Sequence, residues 1–579
     1  MEEKKLTDYP SIDKPWLKYY SEEAINAPLP ECTIYEYLWE NNKDHLDDIA
    51  IIYFNRKITY GELFRNIDKT ASALVAIGVK QGEIVTIAMP SIPEALYAFY
   101  ALNKLGAVAN MIHPLAGEQE ICHYLNEVES KVCVMFTGTY EIVKDALSKT
   151  SVKTSVVVSP AQSLSPVLKC LYKLKAKDAK IKNSADLMGW SAFIQKGKGV
   201  KAEKVKKDCH EMALISHTGG TTGEPKGVML TDYNINALIW QISCGLKYDR
   251  QESNMAVLPP FVNYSLVNGM LAPLAFGFKV ILIPDYKANL FGEYAKKYKP
   301  NHLMASIPPY YEAMLEDKEL KQMDLSFLWH IYYGGDKMDS VKEQQVNEFL
   351  LSRGAKYPLA KGLGSTEMVS AAIVTYESCN KLDSVGIPLV KITCKIIDPE
   401  TCEERSYNQQ GEICMTGPTL MTGYYKNESA TNEVVKIHAE GQRWLHTGDL
   451  GYITEDGIVY VTGRIKRIIM TKGDDGNVTK LFPDRIEKEL SKHPAVGLCC
   501  VVGVDDEVRI HYPKAFVVLN DGYNGSDELT NDIRAFCKDK LPGYMIPDEI
   551  EYLSDLPRTP RGKIDYRALE KQAEEMNKE

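Results

Sequence analysis

Short apolar runs alternate with longer amphipathic stretches along most of this chain. Residues 51–60 carry β-branched and aromatic side chains on both sides of Asn55-Arg56, the pattern of a hairpin turning there. Residues 62–77 have helical periodicity and stop at Gly78. GEIVTIAMP then reads as a buried strand, and Ser91-Ile92-Pro93-Glu94 is expected to cap an apolar helix, ALYAFYALNKL, ending at Gly106. After the short strand AVANMI, the alternation resumes through KVCVMF, TSVVVS, KVILIPD and KPNHLMASI. Such alternation predicts an α/β fold, with parallel and mixed sheets covered by helices on both faces.

The texture changes over 411–461, where short strands and tight turns (GEICMTGP, WLHTGDLGYI, IVYVTG) predict a β-rich subdomain. GRIKRIIM then opens a unit with its own helices and strands: PDRIEKELSKHP, GLCCVVGV, KAFVVLN and ELTNDIRAFCKDKLP. Residues 464–579 suffice for a separate small α+β domain. The expected division is 1–463 and 464–579.

A chain of 579 residues exceeds one ordinary core, and 45% hydrophobic with 25% charged residues is the composition of a soluble globular protein. A net charge of −10 argues against a nucleic-acid partner. The charge is uneven: over 169–207, twelve lysines stand against Asp178, Asp186 and Glu203. Overlapping its start, VLKCLYKLKAKDAKIK fits either a solvated surface excursion or a basic amphipathic helix making peripheral contact with a membrane or an acidic partner. Thirteen cysteines include no C-x-x-C pair, Cys499-Cys500 fall in an apolar run, the opening MEEKK does not read as a secretory leader, and no run is long enough to span a membrane. A reducing, cytoplasmic protein without a metal-thiolate site is expected, as monomer or homodimer.

The densest chemistry lies in ISHTGGTTGEPKGV. Residues 218–227 hold four glycines, three threonines, a glutamate, a proline and a lysine, too little apolar surface for a packed helix or strand. MALIS before it reads as a strand, and Thr231 and Asp232 after it are candidate N-caps for a helix through Cys244. Such a loop turns amides and hydroxyls toward one anion, and Lys226 adds a mobile charge; a polyphosphate is the simplest ligand. By itself it could also be a solvated turn. It is not a P-loop, because Pro225-Lys226-Gly227 stands where Gly-Lys-Ser/Thr is needed.

The loop resembles the phosphate loop of the adenylate-forming superfamily, which includes acyl-CoA synthetases and fatty- or aryl-acid CoA ligases. Further motifs extend the resemblance from Thr59-Tyr60-Gly61-Glu62-Leu63 to Lys563. It implies that Thr218, Gly219, Gly220, Thr221, Thr222, Gly223 and Lys226 cradle ATP phosphates. Gly335 and Asp336, in Tyr333-Gly334-Gly335-Asp336, would lie against adenine. In Gly362-Leu363-Gly364-Ser365-Thr366-Glu367, Thr366 would contact the α-phosphate and Glu367 would hold Mg²⁺, with Gly364 and Ser365 completing the nucleotide site. Leu363 departs from the family, replacing a tyrosine that usually stacks on adenine. Asp449, in His446-Thr447-Gly448-Asp449, would accept the ribose hydroxyls, with Arg464 nearby. Lys563, in Pro557–Asp565, would enter the site for adenylation, and rotation about Lys466 would then bring Gly473 inward.

For the acid, the resemblance places Phe261, Val262, Asn263, Tyr264, Gly334, Gly335, Gly362, Val369 and also Leu266 around an apolar cavity. Val262 replaces a common histidine, and Asn263 reads either as a partner for an ortho hydroxyl or as a turn residue. No lysine or carboxylate is among them, which favours a fatty or aryl acid over an amino acid; Asp232 and Asp336 are the nearest candidates for pairing an ammonium. The implied reaction joins the acid to AMP and then to a thiol, coenzyme A first and an acyl carrier protein as the alternative. A degenerate relative binding nucleotide or acyl ligand without turnover is the reading of another class; Lys226, Glu367, Asp449, Arg464 and Lys563, all present, argue for the enzyme, with Lys563, Glu367 and Lys226 as catalytic residues.

Overall fold

The computed structural model describes residues 6–175, 181–218, 225–558 and 563–577. Two large sheets dominate the fold. In the first, the parallel strands Leu187–Gly189, Thr154–Val158, Val132–Phe136, Ile84–Ala88, Val108–Met111 and Met212–His217 are adjacent in that order. Gly227–Thr231 and Gly423–Tyr424 then extend it antiparallel. These parallel strands are nearly all buried, as expected of a sheet covered on both faces.

The second sheet begins with parallel strands and becomes antiparallel at Ala360–Gly364, from which the β-rich strands continue through Ala371–Val374, Ser384–Pro388, Val459–Arg464 and Arg443–Ile453. After Arg464 come a two-stranded sheet, Ile469–Lys472 with Val478–Leu481, and a three-stranded one built on Val496–Asp506 and Ile510–Leu519. Residues there have their own apolar cores, including Leu481, Ile486, Val501, Val517 and Ile533.

Three local expectations are revised. The first hairpin turns at Phe54-Asn55, because Tyr53 pairs with Arg56 and Phe54 takes a φ of +53°. Pro93–Lys104 forms the expected apolar helix, but its N-cap Ile92 makes no side-chain capping bond. Ser91 Oγ instead donates to Leu258 O at 3.3 Å, and Glu94 accepts from Ser163 Oγ at 2.5 Å. Thr231 does cap Asp232–Gly245 in a reciprocal box with Asn234. Asp232 is instead buried against Lys207, Asn103 and the amide of Ile34.

Candidate active site

One cavity of about 720 Å³ lies where the carboxyl ends of strands from both sheets meet the β-rich strands and the small C-terminal unit. Thr218 and Lys226 enter it from the antiparallel pair that flanks the glycine-rich loop: Thr218 N donates to Lys226 O at 2.9 Å, and Lys226 N to Thr218 Oγ1 at 3.1 Å. Gly219, Gly220, Thr221, Thr222 and Gly223 lie outside the described residues. The Lys226 ammonium is 5.1 Å from the centre of the Tyr424 ring, and the Tyr424 hydroxyl donates to Glu367 Oε1 at 2.6 Å. Tyr424 thus joins the candidate phosphate lysine to the candidate metal carboxylate. Local sequence carried no sign of this, because the link depends on Tyr424 pairing with Val228.

The segment carrying Glu367 is tightly bent. Gly364 pairs with Ala371, and a β-carbon on Gly364 would lie 1.6 Å from the Ser370 carbonyl oxygen. Only glycine fits there. Val369 then takes φ 66° and ψ −62°, and Ser370 N donates back to Met368 O at 2.8 Å, a γ-turn of the strained hand. Asn263 Nδ2 donates to the Val369 carbonyl at 2.8 Å, while its Oδ1 is buried with no partner among the described residues. Asn263 therefore braces the turn. It immediately precedes Tyr264–Leu271, which is wound as a π-helix.

Gly334, Gly335 and Asp336 line the cavity after the strand His330–Tyr333, and Gly335 needs its freedom at φ +80°. A β-carbon on Gly334 would touch the Tyr264 ring at 3.4 Å. Val262, Gly362, Leu363, Ser365, Thr366 and Val369 also line the space. Ile242, Leu246, Leu258, Met304, Val374 and Leu389 give it an apolar reach that the motifs did not indicate. Ile242 comes from the helix Asp232–Gly245 and Leu246 from its C-cap, remote from every motif. Phe261 does not belong to this wall. It lines a second cavity of about 320 Å³, with its ring centre 4.3 Å from that of His113. Leu266 packs into the main core.

On the opposite wall, Arg464 lines the cavity; Asp449 is not among the lining residues but lies buried behind it, facing Arg464 across paired strands with Nε–Oδ1 at 2.8 Å. Burial pushes the Asp449 carboxyl above its ordinary value, and the charges of Arg464 and Lys563 oppose that rise. Gly448 N donates to Glu412 Oε1 at 3.0 Å, while Glu412 Oε2 meets His446 Nδ1 at 2.9 Å and His446 Nε2 meets His438 Nε2 at 2.9 Å. This relay holds the turn before Asp449. Arg464, Lys466 and Lys563 line the same cavity as Lys226, as does Lys436. Gly473 is not among the lining residues; it closes the turn before Val478–Leu481, where its amide donates to Asn477 O at 2.8 Å.

A family model described as AMP-binding enzyme matches residues 38–425, well over half of the chain. The chain belongs to the AMP-binding enzyme family. The AMP-binding enzyme C-terminal domain model matches 485–563 as well. Among named relatives, the chain is 29% identical to a long-chain-fatty-acid–CoA ligase of Bacillus subtilis (strain 168), covering 96% of this chain and 97% of the relative. It is 27% identical to a probable 4-coumarate–CoA ligase 1 of Dictyostelium discoideum, covering 94% and 96%. Similar solved folds include the anthranilate CoA ligase AuaEII in complex with anthranoyl-AMP, at TM-score 0.79, 22% identity and coverage of 96% of this chain and 100% of that one. ATP-bound MatB from Rhodopseudomonas palustris has TM-score 0.81 at 20% identity, covering 94% and 100%.

Proposed function

We propose that this AMP-binding enzyme is an ATP-dependent acid:CoA ligase acting on a fatty or aryl monocarboxylic acid. The observation that carries the reading is that Lys226 and Lys563, far apart in sequence, line one cavity with Thr366 and Glu367 while the same cavity continues among apolar side chains. Joining two anions needs their charge neutralised and their atoms aligned, and cations held in a shared cleft supply both. The apolar reach suits the tail of an acid. The relatives named for fatty and coumaric acids support that substrate class. Of the two carboxylates that could pair an amino acid's ammonium, Asp232 is consumed by Lys207, Asn103 and a backbone amide, which leaves only Asp336 on the cavity wall.

In the first step a carboxylate oxygen attacks the α-phosphorus of ATP, the bond to the β-phosphate oxygen breaks, and pyrophosphate leaves an acyl-adenylate. Lys226 and the loop hold the departing phosphates, Lys563 steadies the α-phosphate and acid oxygens, and Asp449 orients the ribose. The oxygen donors of Glu367 and Thr366, beside the buried Ser365 Oγ with no partner among the described residues, fit a hard divalent cation. A Mg²⁺ ion held there would supply further neutralisation of the pyrophosphate. In the second step a coenzyme A thiolate attacks the acyl carbonyl and AMP departs. That step uses a hinge near Lys466 between units 1–463 and 464–579, which withdraws Lys563 and brings Gly473 inward.

Pyrophosphate exchange across a panel of fatty, aryl and amino acids tests this before any thiol is chosen. Exchange with fatty or aryl acids is expected. Exchange with none would replace the ligase with a protein that binds without turnover, and transfer to a carrier protein but not to coenzyme A would change the acceptor.

A further inference from the structure

The helix Pro166–Lys175 turns an apolar stripe outward. Val167, Cys170, Leu171 and Leu174 recur at i, i+3, i+4 and i+7, the spacing that ordinarily faces a core. Here Val167 is 70% exposed, Leu171 50% and Leu174 79%, and Cys170 is exposed too. Among the described side chains of the helix, the half-buried ones are Leu168, Lys169 and Tyr172, on its other side.

The base of this helix is well anchored. Tyr53 Oη donates to Pro160 O at 2.7 Å, Arg56 to Ser163 O at 3.4 Å, and Lys169 Nζ to Gln162 O at 3.1 Å. Phe54, 39% exposed, sits on the hairpin that supplies the first two of these bonds. The stripe is therefore displayed from a fixed platform.

Charge decides what covers it. The helix itself carries Lys169, Lys173 and Lys175 and no acidic residue, in a chain whose net charge is −10. A second copy would set one lysine-rich segment against another. An anionic bilayer offers acyl chains to the stripe and headgroup charge to the lysines. No described helix is long and apolar enough to cross a membrane, so the contact lies in the interface. We propose that the helix Pro166–Lys175 docks this protein on an anionic lipid surface, with Val167, Leu171 and Leu174 entering the headgroup–acyl boundary. The docking stands independently of the ligase reading, because it needs neither ATP nor acid.

The test is cosedimentation of the full chain with vesicles of phosphatidylcholine alone or mixed with phosphatidylglycerol. Binding to the anionic vesicles, weakening as salt rises, is expected. Leu171→Glu/Leu174→Glu should lower the partition coefficient roughly tenfold or more, and the milder Leu171→Ser/Leu174→Ser should lower it less. Both should keep the wild-type melting temperature and pyrophosphate exchange with a water-soluble acid. The proposal fails if the wild type stays in the supernatant with anionic vesicles, or if both variants pellet as it does. It also fails if the wild type is a dimer that the substitutions split, which would make a second copy the occupant.

Discussion

At the residue scale, the most informative side chain is Lys563. Its place beside Arg464 and Lys466 in the cavity that holds Lys226 suits neutralisation during adenylate formation. Lys563→Ala should reduce pyrophosphate exchange roughly 10²- to 10³-fold, as loss of a preorganised charge-stabilising group does. Conversion of a supplied acyl-adenylate to thioester should survive. Equal loss of both half-reactions would contradict a role confined to the first. A second residue-scale prediction concerns Glu94, which burial raises from its ordinary 4.5 to about 7, with Ser163, Arg56 and Lys169 opposing the rise. A carboxyl whose native pKa is raised stabilises the fold while protonated, and that contribution is lost as pH climbs from about 4.5 through about 7. Glu94→Gln keeps an acceptor for Ser163 and removes the charge. Urea unfolding should find the variant more stable than wild type at pH 8, by at most about 3 kcal/mol, with the difference vanishing toward pH 5. A difference independent of pH would show that Glu94 ionises without penalty. That Glu367 and Lys563 would meet in one cavity was legible because each sits in a short motif that the resemblance singles out. Tyr424 and the His438–His446–Glu412 relay were not, since strand pairing between distant segments alone makes them neighbours.

At the element scale, the alternation of strand and helix was legible because burial of both sheet faces writes itself as apolar runs. Loop geometry was less so. The Phe54 turn, the Val369 γ-turn and the π-helix at Tyr264–Leu271 are imposed by packing, against what a valine or a phenylalanine would choose alone. Phe261 went astray for the same reason: the unanticipated winding of 264–271 begins three residues beyond it, and its ring faces His113 instead of the main cavity. The glycines separate two kinds of constraint. Gly364→Ala drives a β-carbon to 1.6 Å from a backbone oxygen, so the hairpin carrying Glu367 must open. A loss of more than about 4 kcal/mol in urea denaturation is expected. Gly334→Ala meets only the Tyr264 ring, at an ordinary 3.4 Å. It should fold as well as wild type and discriminate more strongly against bulky aryl acids, read as kcat/KM across the acid panel. Similar stability losses in the two variants would refute this division.

At the scale of the whole molecule, the proposed rotation of the small unit makes demands on the contacts between the two units. Arg464 is tied to Asp449 in the large unit, whereas Arg467 bonds Glu487 at 2.5 Å and the Val501 carbonyl at 3.2 Å. Only Ile465 and Lys466 lie between those anchors, so the proposed rotation would be absorbed by their backbone angles. The contacts across the units include the partly exposed pairs Lys488–Asp383 and Lys480–Glu400, at 2.9 and 2.8 Å, and Ser491 Oγ to Asp339 at 2.8 Å. Ion pairs of this exposure contribute about 0.2–1 kcal/mol each, little enough to be made and broken in the proposed cycle. Weakening them should therefore disfavour the arrangement that places Lys563 in the cavity. Asp383 has a φ of +62°, so asparagine is the substitution that removes charge without adding backbone strain. Asp383→Asn/Glu400→Gln should lower pyrophosphate exchange about two- to fivefold, the equivalent of losing one or two such pairs. Thioester formation from supplied acyl-adenylate should hold or rise, and added salt should reproduce the effect in the wild type. If both half-reactions fell together, these contacts would be holding the fold instead of selecting between two positions of the small unit.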